Sequence, residues 1–154
     1  MNASGVITDR SNWQSTSDAL QLGWESTFGD INGDGIIGQP ITDTDQNGLV
    51  DGVSNYQIYN NGSAIDVTDA KGWKQYDHKY YHAIKAVNSG SGYKVLLEGD
   101  DLRVGQHYVW DLNESGVITK GSGWKNTSAA IQLGWESTFG DINVDGIIGV
   151  NQFV

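Results

Sequence analysis

The chain has no cysteine, a single proline, and nine Lys and Arg against nineteen Asp and Glu. Without cysteine there is no disulfide, no thiolate nucleophile and no cysteine-ligated zinc. That absence does not exclude export. The thin scatter of basic residues, in a chain of net charge −10, argues against a nucleic-acid or anionic-membrane surface. No apolar run approaches the roughly 18 residues of a membrane span, so membrane insertion is not expected. Met1-Asn2-Ala3-Ser4-Gly5 lacks the charged and apolar regions of a secretory leader. No G-x-S-x-G nucleophile motif is present. What the chain does hold is acid of one kind, fifteen Asp against four Glu. Asp forms helices poorly and serves well in loops and as an oxygen ligand, which points to acid placed for chemistry. A length of 154 residues suits one domain, or one domain plus a fragment of another. It suffices to bury a core without covalent or metal staples.

An internal repeat dominates the chain. Residues 2–38 and 113–149 align at an offset of 111 with 28 of 37 positions identical, far beyond chance. The substitutions fall mostly in the polar first half, as at Asp9 against Lys120 and Arg10 against Gly121. The segment 39–112 occurs once. The expected organisation is therefore 1–38 as the C-terminal part of one repeat, 39–149 as a complete repeat, and 150–154 as a tail. Met1 directly precedes mid-repeat sequence, so an excised or engineered piece of a longer tandem array is expected, with a natural two-copy protein as the alternative.

Each copy opens with a short predicted strand, Gly5–Thr8 or Gly116–Thr119. A polar turn follows, carrying Trp13 or Trp124. Next comes a predicted helix, capped by Thr16 or Ser17 in one copy and by Thr127 or Ser128 in the other. Leu20, Trp24 and Phe28 recur every four residues, as do Ile131, Trp135 and Phe139, giving each helix one apolar stripe for the core. Gly29 and Gly140 end the helices. The middle segment holds all seven Tyr and reads as strand. Residues 56–59 and 64–67 flank an Asn60-Asn61-Gly62 turn. A strand over 80–87 leads through Ser89-Gly90-Ser91-Gly92 to strands over 93–97 and 106–110, the last pair flanking the acidic turn 98–101. The fold class expected is α+β: an antiparallel sheet covered by a short helix that feeds a loop.

After each helix comes D-x-N-x-D-G-x-I. The first copy supplies Asp30, Asn32, Asp34, Gly35 and Ile36; the second supplies Asp141, Asn143, Asp145, Gly146 and Ile147. This is the front half of an EF-hand loop. Side-chain oxygens at positions 1, 3 and 5 wrap one hard cation, Gly at 6 allows the sharp turn, and position 7 offers its backbone carbonyl. The Ile at position 8 is expected to pin the loop to the core. Position 12, a bidentate Glu in an EF-hand, is Ile41 or Gln152 here. Another ligand or water must close the site, and affinity is expected on the order of 10⁻⁴ to 10⁻³ M for Ca²⁺. A further loop follows at once, with Asp43, Asp45, Asn47, Leu49 and Asp51 at positions 1, 3, 5, 7 and 9 and Gly48 at 6. Asp, Asn and Gly also build ordinary turns, but three such loops in one chain favour metal. Mg²⁺ fits less well, because it prefers fewer protein ligands and tighter geometry.

These segments resemble the tryptophan-rich C-terminal domain repeated in large secreted cyanobacterial proteins, many of which also carry haemolysin-type calcium repeats. The resemblance rests on IYNNGSAID (58–66), AIKAV (83–87), GYKVLLEG (92–99), YVWDLNESGVI (108–118) and the terminal GDINxDGIIG. It spans 56–149 and, in part, 2–38. It implies an extracellular or cell-surface, calcium-dependent protein exported without a cleaved leader, and no known catalytic activity. The loops also look like dockerin calcium loops, but a dockerin sets its two helix-paired loops much closer than the 111 residues found here.

Other residues carry weaker signals. His78 and His82 stand at zinc-binding spacing if helical. The adjacent Tyr80-Tyr81 favours a strand, which sets them about 13 Å apart along one face. Asp100-Asp101 resembles a glycosidase acid pair, yet adjacency in a turn fits solvation or calcium closure better. No active site is expected. Trp13, Trp24, Trp124 and Trp135 read mostly as core. Tyr56, Tyr59, Tyr76, Tyr80, Tyr81, Trp73 and Trp110 exceed what a core needs, and an exposed strip of them would suit a surface glycan. The duplicated ends admit three arrangements: a closed monomer, a swapped dimer, or an open head-to-tail fibre. The reading is an extracellular calcium-binding module with a structural or adhesive role, with a calcium-dependent carbohydrate-binding module as the alternative and a glycoside-active enzyme as a remote one.

Overall fold

A computed structural model describes residues 2–33, 35, 37, 38 and 40–149. The chain divides into two compact units, Met1–Pro40 and Ile41–Val154. Among the described residues, the second carries all the strands. A hairpin pairs β1 (Gln57–Asn60) with β2 (Ser63–Asp66). Asn61 and Gly62 turn it with φ of 49° and 84°, the left-handed pair that matches strand twist. The main antiparallel sheet runs β3 (Tyr81–Asn88), β4 (Tyr93–Gly99), β5 (Gln106–Leu112) and β6 (Ile118–Gly121), with β7 (Lys125–Asn126) also on β5. β4 extends to Gly99, and one 3₁₀ turn over Asp101–Arg103 completes the connection to β5.

Strand alternation splits β4 between two cores. Tyr93, Val95 and Leu97 face a cluster with Ile58, Val67, Trp110 and Leu112, closed over by the hairpin and by Leu49. Leu96 turns the other way and packs with Val109 and Phe139, joined by Ile84, Val87, Trp135 and Ile142. The sheet is thus covered on both faces, by hairpin and loop on one and by helix on the other. The mixed, antiparallel α+β class expected from the pattern is what forms.

Each predicted helix is in fact two. α1 (Thr16–Gln21) and α2 (Trp24–Phe28) lie in the first unit, α3 (Thr127–Gln132) and α4 (Trp135–Phe139) in the second. Gly23 and Gly134 sit between them at φ of 74° and 81°, a left-handed residue no α-helix continues through. The caps lie one residue before those expected: the Ser15 hydroxyl accepts from the Asp18 N–H at 3.1 Å, and the Asn126 side chain from Ala129 at 2.8 Å. The first copy departs further. Residues 5–8 form no strand, whereas Ile118 and Thr119 of the second copy enter β6, where they pair with β5. Phe28 and Trp13, expected in the core, are exposed.

Candidate metal centre

The loop 43–51 is held on two sides. The Ala86 N–H of edge strand β3 donates to the Asn47 carbonyl at 2.7 Å, and the Tyr59 N–H of β1 donates to the Gly48 carbonyl at 2.9 Å. Leu49 bridges to Ile58, and Leu49 and Val50 are both buried. Apolar residues at positions 7 and 8 therefore anchor the loop, while its acids face out. Asp43, Asp45 and Asp51 each bring a carboxylate oxygen within 4.8 Å of the others. Oxygens around one cation at Ca²⁺ distances lie at most about 5 Å apart, so the spacing and the all-oxygen donor set fit a single hard divalent ion.

The loop is also preformed by its own backbone. Asp43 accepts from the N–H groups of Asn47 and Gly48 at 3.0 and 2.9 Å, Asp45 from Asn47 at 3.2 Å, and Asn47 from Leu49 at 2.8 Å. A carboxylate offers about four acceptor sites, so these bonds orient the acids and leave capacity for a cation. Asp51 takes three donors on one oxygen: the Thr44 N–H at 2.7 Å, the Thr44 hydroxyl at 2.8 Å and the Thr42 hydroxyl at 3.0 Å. The Thr44 backbone bond, then its hydroxyl, holds the Asp51 carboxyl below the usual range.

The loop 141–147 repeats that bonding position for position. Asp141 accepts from Asp145 and Gly146 at 3.2 and 2.7 Å, Asn143 from Asp145 at 3.2 Å, and Asp145 from Ile147 at 2.8 Å. Both loops offer two carboxylates and an amide at positions 1, 3 and 5, and 43–51 adds a third carboxylate, Asp51, at position 9, where the second loop has Gly149. In the first copy Asp30 accepts from Gly33 and Gly35 at 2.6 and 2.8 Å. Asn32 lies in the same loop, while Asp34, Ile36 and Gln152 fall outside the described residues. The position-8 Ile does not pin either duplicated loop, since Ile37 and Ile148 are exposed. Ile142, at position 2, packs on the core in its place.

What holds the duplicated loops is a residue the sequence pattern did not single out. Glu25 and Glu136 are each 1 % exposed. The Glu136 carboxylate accepts from Ile142 at 3.0 Å and from Gly149 at 2.7 Å, one oxygen for each end of the loop. Glu25 clasps the first loop in the same way, through Ile31 at 2.9 Å and Gly38. A clue was present: an acid next to the core-stripe Trp of the WESTF segment, kept in both copies. A buried acid between Trp and Phe needs partners, and the backbone of the loop supplies them.

The remaining candidates resolve separately. His82 Nδ1 lies 2.7 Å from Asp100 Oδ2, and the His78 ring stacks on Tyr81 at 5.0 Å. Among the described residues, Asp43, Asp45 and Asp51 are the one group of three or more His or acidic side chains spaced for a metal. Trp73 and Tyr76 are exposed, while Trp110 is buried. Tyr81, Leu97, Tyr108, Trp110 and Trp124 line an open cleft of about 220 Å³, with the Arg103 guanidinium 5.3 Å from the Trp124 ring centre. No family model matches the chain, and no curated protein or solved structure does.

Proposed function

We propose that the chain is an extracellular or cell-surface calcium-binding module with a structural or adhesive role, assembling through its duplicated terminal elements. The convergence of Asp43, Asp45 and Asp51 carries this reading. The recurrence of the same loop bonding at 141–147 supports it. Asp43, Asp45 and Asp51 would hold the ion, with Asn47 and the Leu49 carbonyl at EF-hand positions 5 and 7 completing it. Several carboxylates in a loop of this kind favour Ca²⁺ over Mg²⁺. The bound ion would offset the repulsion among the acids and fasten the loop to the β3 edge.

Calorimetric titration and thermal melting in Ca²⁺, Mg²⁺ and chelator test it. The expected result is a Ca²⁺ Kd of about 10⁻⁴ to 10⁻³ M and a melting rise in about 10 mM Ca²⁺. Asp43→Asn with Asp45→Asn should remove most of that rise. Absence of both heat and melting shift in the unaltered chain would overturn the reading.

The aromatic cleft favours a second reading, a carbohydrate-binding module. Half-buried Tyr81, Tyr108 and Trp124 line the cleft, with the Arg103 guanidinium over the Trp124 ring, a mix of aromatic and polar groups suited to a sugar. Glycan-array binding that disappears in Trp124→Ala would support it. An empty array would remove it.

A further inference from the structure

Residues 24–32 and 135–143 are identical in sequence, WESTFGDIN. Their internal packing is alike as well. Ala19 and Ala130 are buried, and Glu25 and Glu136 are buried against their loops. The largest differences fall on residues that meet a sheet in the second copy. Phe139 and Ile142 join Leu96 and Val109 in the helix-side core. Their counterparts Phe28 and Ile31 are exposed. A helix pair that has sealed its own interior while leaving Phe and Ile in water carries a face shaped for a partner. The second copy displays that partner, the aliphatic face of β4 and β5.

We propose that the Phe28 face of Met1–Pro40 docks on the Leu96 and Val109 face of a second copy of this chain, in place of that copy's α3–α4. This gives the assembly in the reading above its surface and its partner; it rests on that part of the reading and not on calcium. The exchanged contacts are the same residue for residue across 24–32. What resists exchange is the covalent link that keeps α3–α4 beside its own sheet, an effective concentration of the order of millimolar. Reciprocal exchange closes a dimer, and one-way exchange extends head to tail.

Light scattering on the full chain tests this. Phe139→Ala weakens the resident cover, so association should begin at about a hundredfold lower concentration than in the unaltered protein. Adding Phe28→Ala should return the chain to one copy. The proposal falls if Phe139→Ala stays a folded monomer, or if the double variant associates equally. A second measurement leaves the resident cover intact. Benzoylphenylalanine replaces Phe28, and the chain is irradiated at about millimolar concentration. Crosslinks to residues 93–112 of another chain support the docking, whereas crosslinks elsewhere, within the same chain, or absent overturn it. Both experiments run in calcium and in chelator. Docking without calcium heat would fail the metal reading alone, and calcium heat without docking would fail this one alone.

Discussion

Phe28 and Phe139 end identical WESTF helices 111 residues apart, yet Phe28 is 73 % exposed and Phe139 only 4 %. Local propensity is the same for both. What differs is Leu96 and Val109, which Phe139 meets across the sheet. Burial of that ring is therefore a tertiary event laid over an already complete local motif.

The energetic consequence is an asymmetry between equivalent substitutions. Phe139→Ala should cost about 3–5 kcal/mol in urea unfolding of dilute protein, as large-to-small core changes do. Phe28→Ala should stay within about 0.5 kcal/mol, as surface changes do. Equal losses at the two positions would show that both rings are covered in solution.

Glu136 is buried and joins α4 to the loop, and removing its carboxylate strands the half-buried Ile142 and Gly149 N–H groups. Each stranded group costs about 1–3 kcal/mol. Glu136→Ala should lower the melting temperature by about 5 °C or more. Glu136→Gln, which keeps one acceptor oxygen, should fall between it and the unaltered chain. Calorimetry on the three proteins decides the order.

Two glycines at position 6 should respond differently to alanine. At Gly48 (φ 83°) a Cβ would stand 2.1 Å from the Ala86 carbonyl oxygen, a backbone atom that cannot move aside. At Gly146 (φ 80°) nothing lies within 4 Å. Gly146→Ala should cost about 1 kcal/mol, the left-handed penalty alone. Gly48→Ala should cost at least about twice that, because the loop must also leave the β3 edge. Paired denaturation curves give the comparison, and calcium titration of Gly48→Ala should show weakened binding.

His107 sets an acid limit on stability. It is 5 % exposed on β5, with Nδ1 lacking a hydrogen-bond partner among the described residues. Its register partners are Glu98 on β4 and Lys125 on β7. Burial holds the imidazole below its ordinary pKa, with Glu98 opposing weakly. The unfolded chain therefore binds the proton first as pH falls. The His107 contribution should be full above the ordinary histidine value of 6.5, decline below it, and level off once the folded protein also protonates. His107→Gln should flatten unfolding free energy against pH in that window. An unchanged slope would place the titration elsewhere.

Chain-local chemistry was legible along the sequence. Alternation marked the strands from Gln57 to Leu112 within a few residues, and Asn61-Gly62 set its hairpin. The Asp, Asn and Gly spacing of 43–51 and 141–147 marked loops whose bonds run between neighbours a few residues apart, which is why a linear pattern captures them. The helix break at Gly23 and Gly134 was written there too, but a four-residue apolar rhythm masked it. Long-range chemistry was not legible. Glu136 reaches its loop across 13 residues, and as a lone acid in a short helix it gives no period to read. Nor does identical sequence carry identical fate. Val117-Ile118-Thr119 leads into β6 because β5 offers its backbone, whereas Val6-Ile7-Thr8 takes no strand. A strand borrows half its hydrogen bonds, and a helix stripe its burial, from residues far away in the chain; those terms are absent from any window of sequence and enter only when the sheet is assembled.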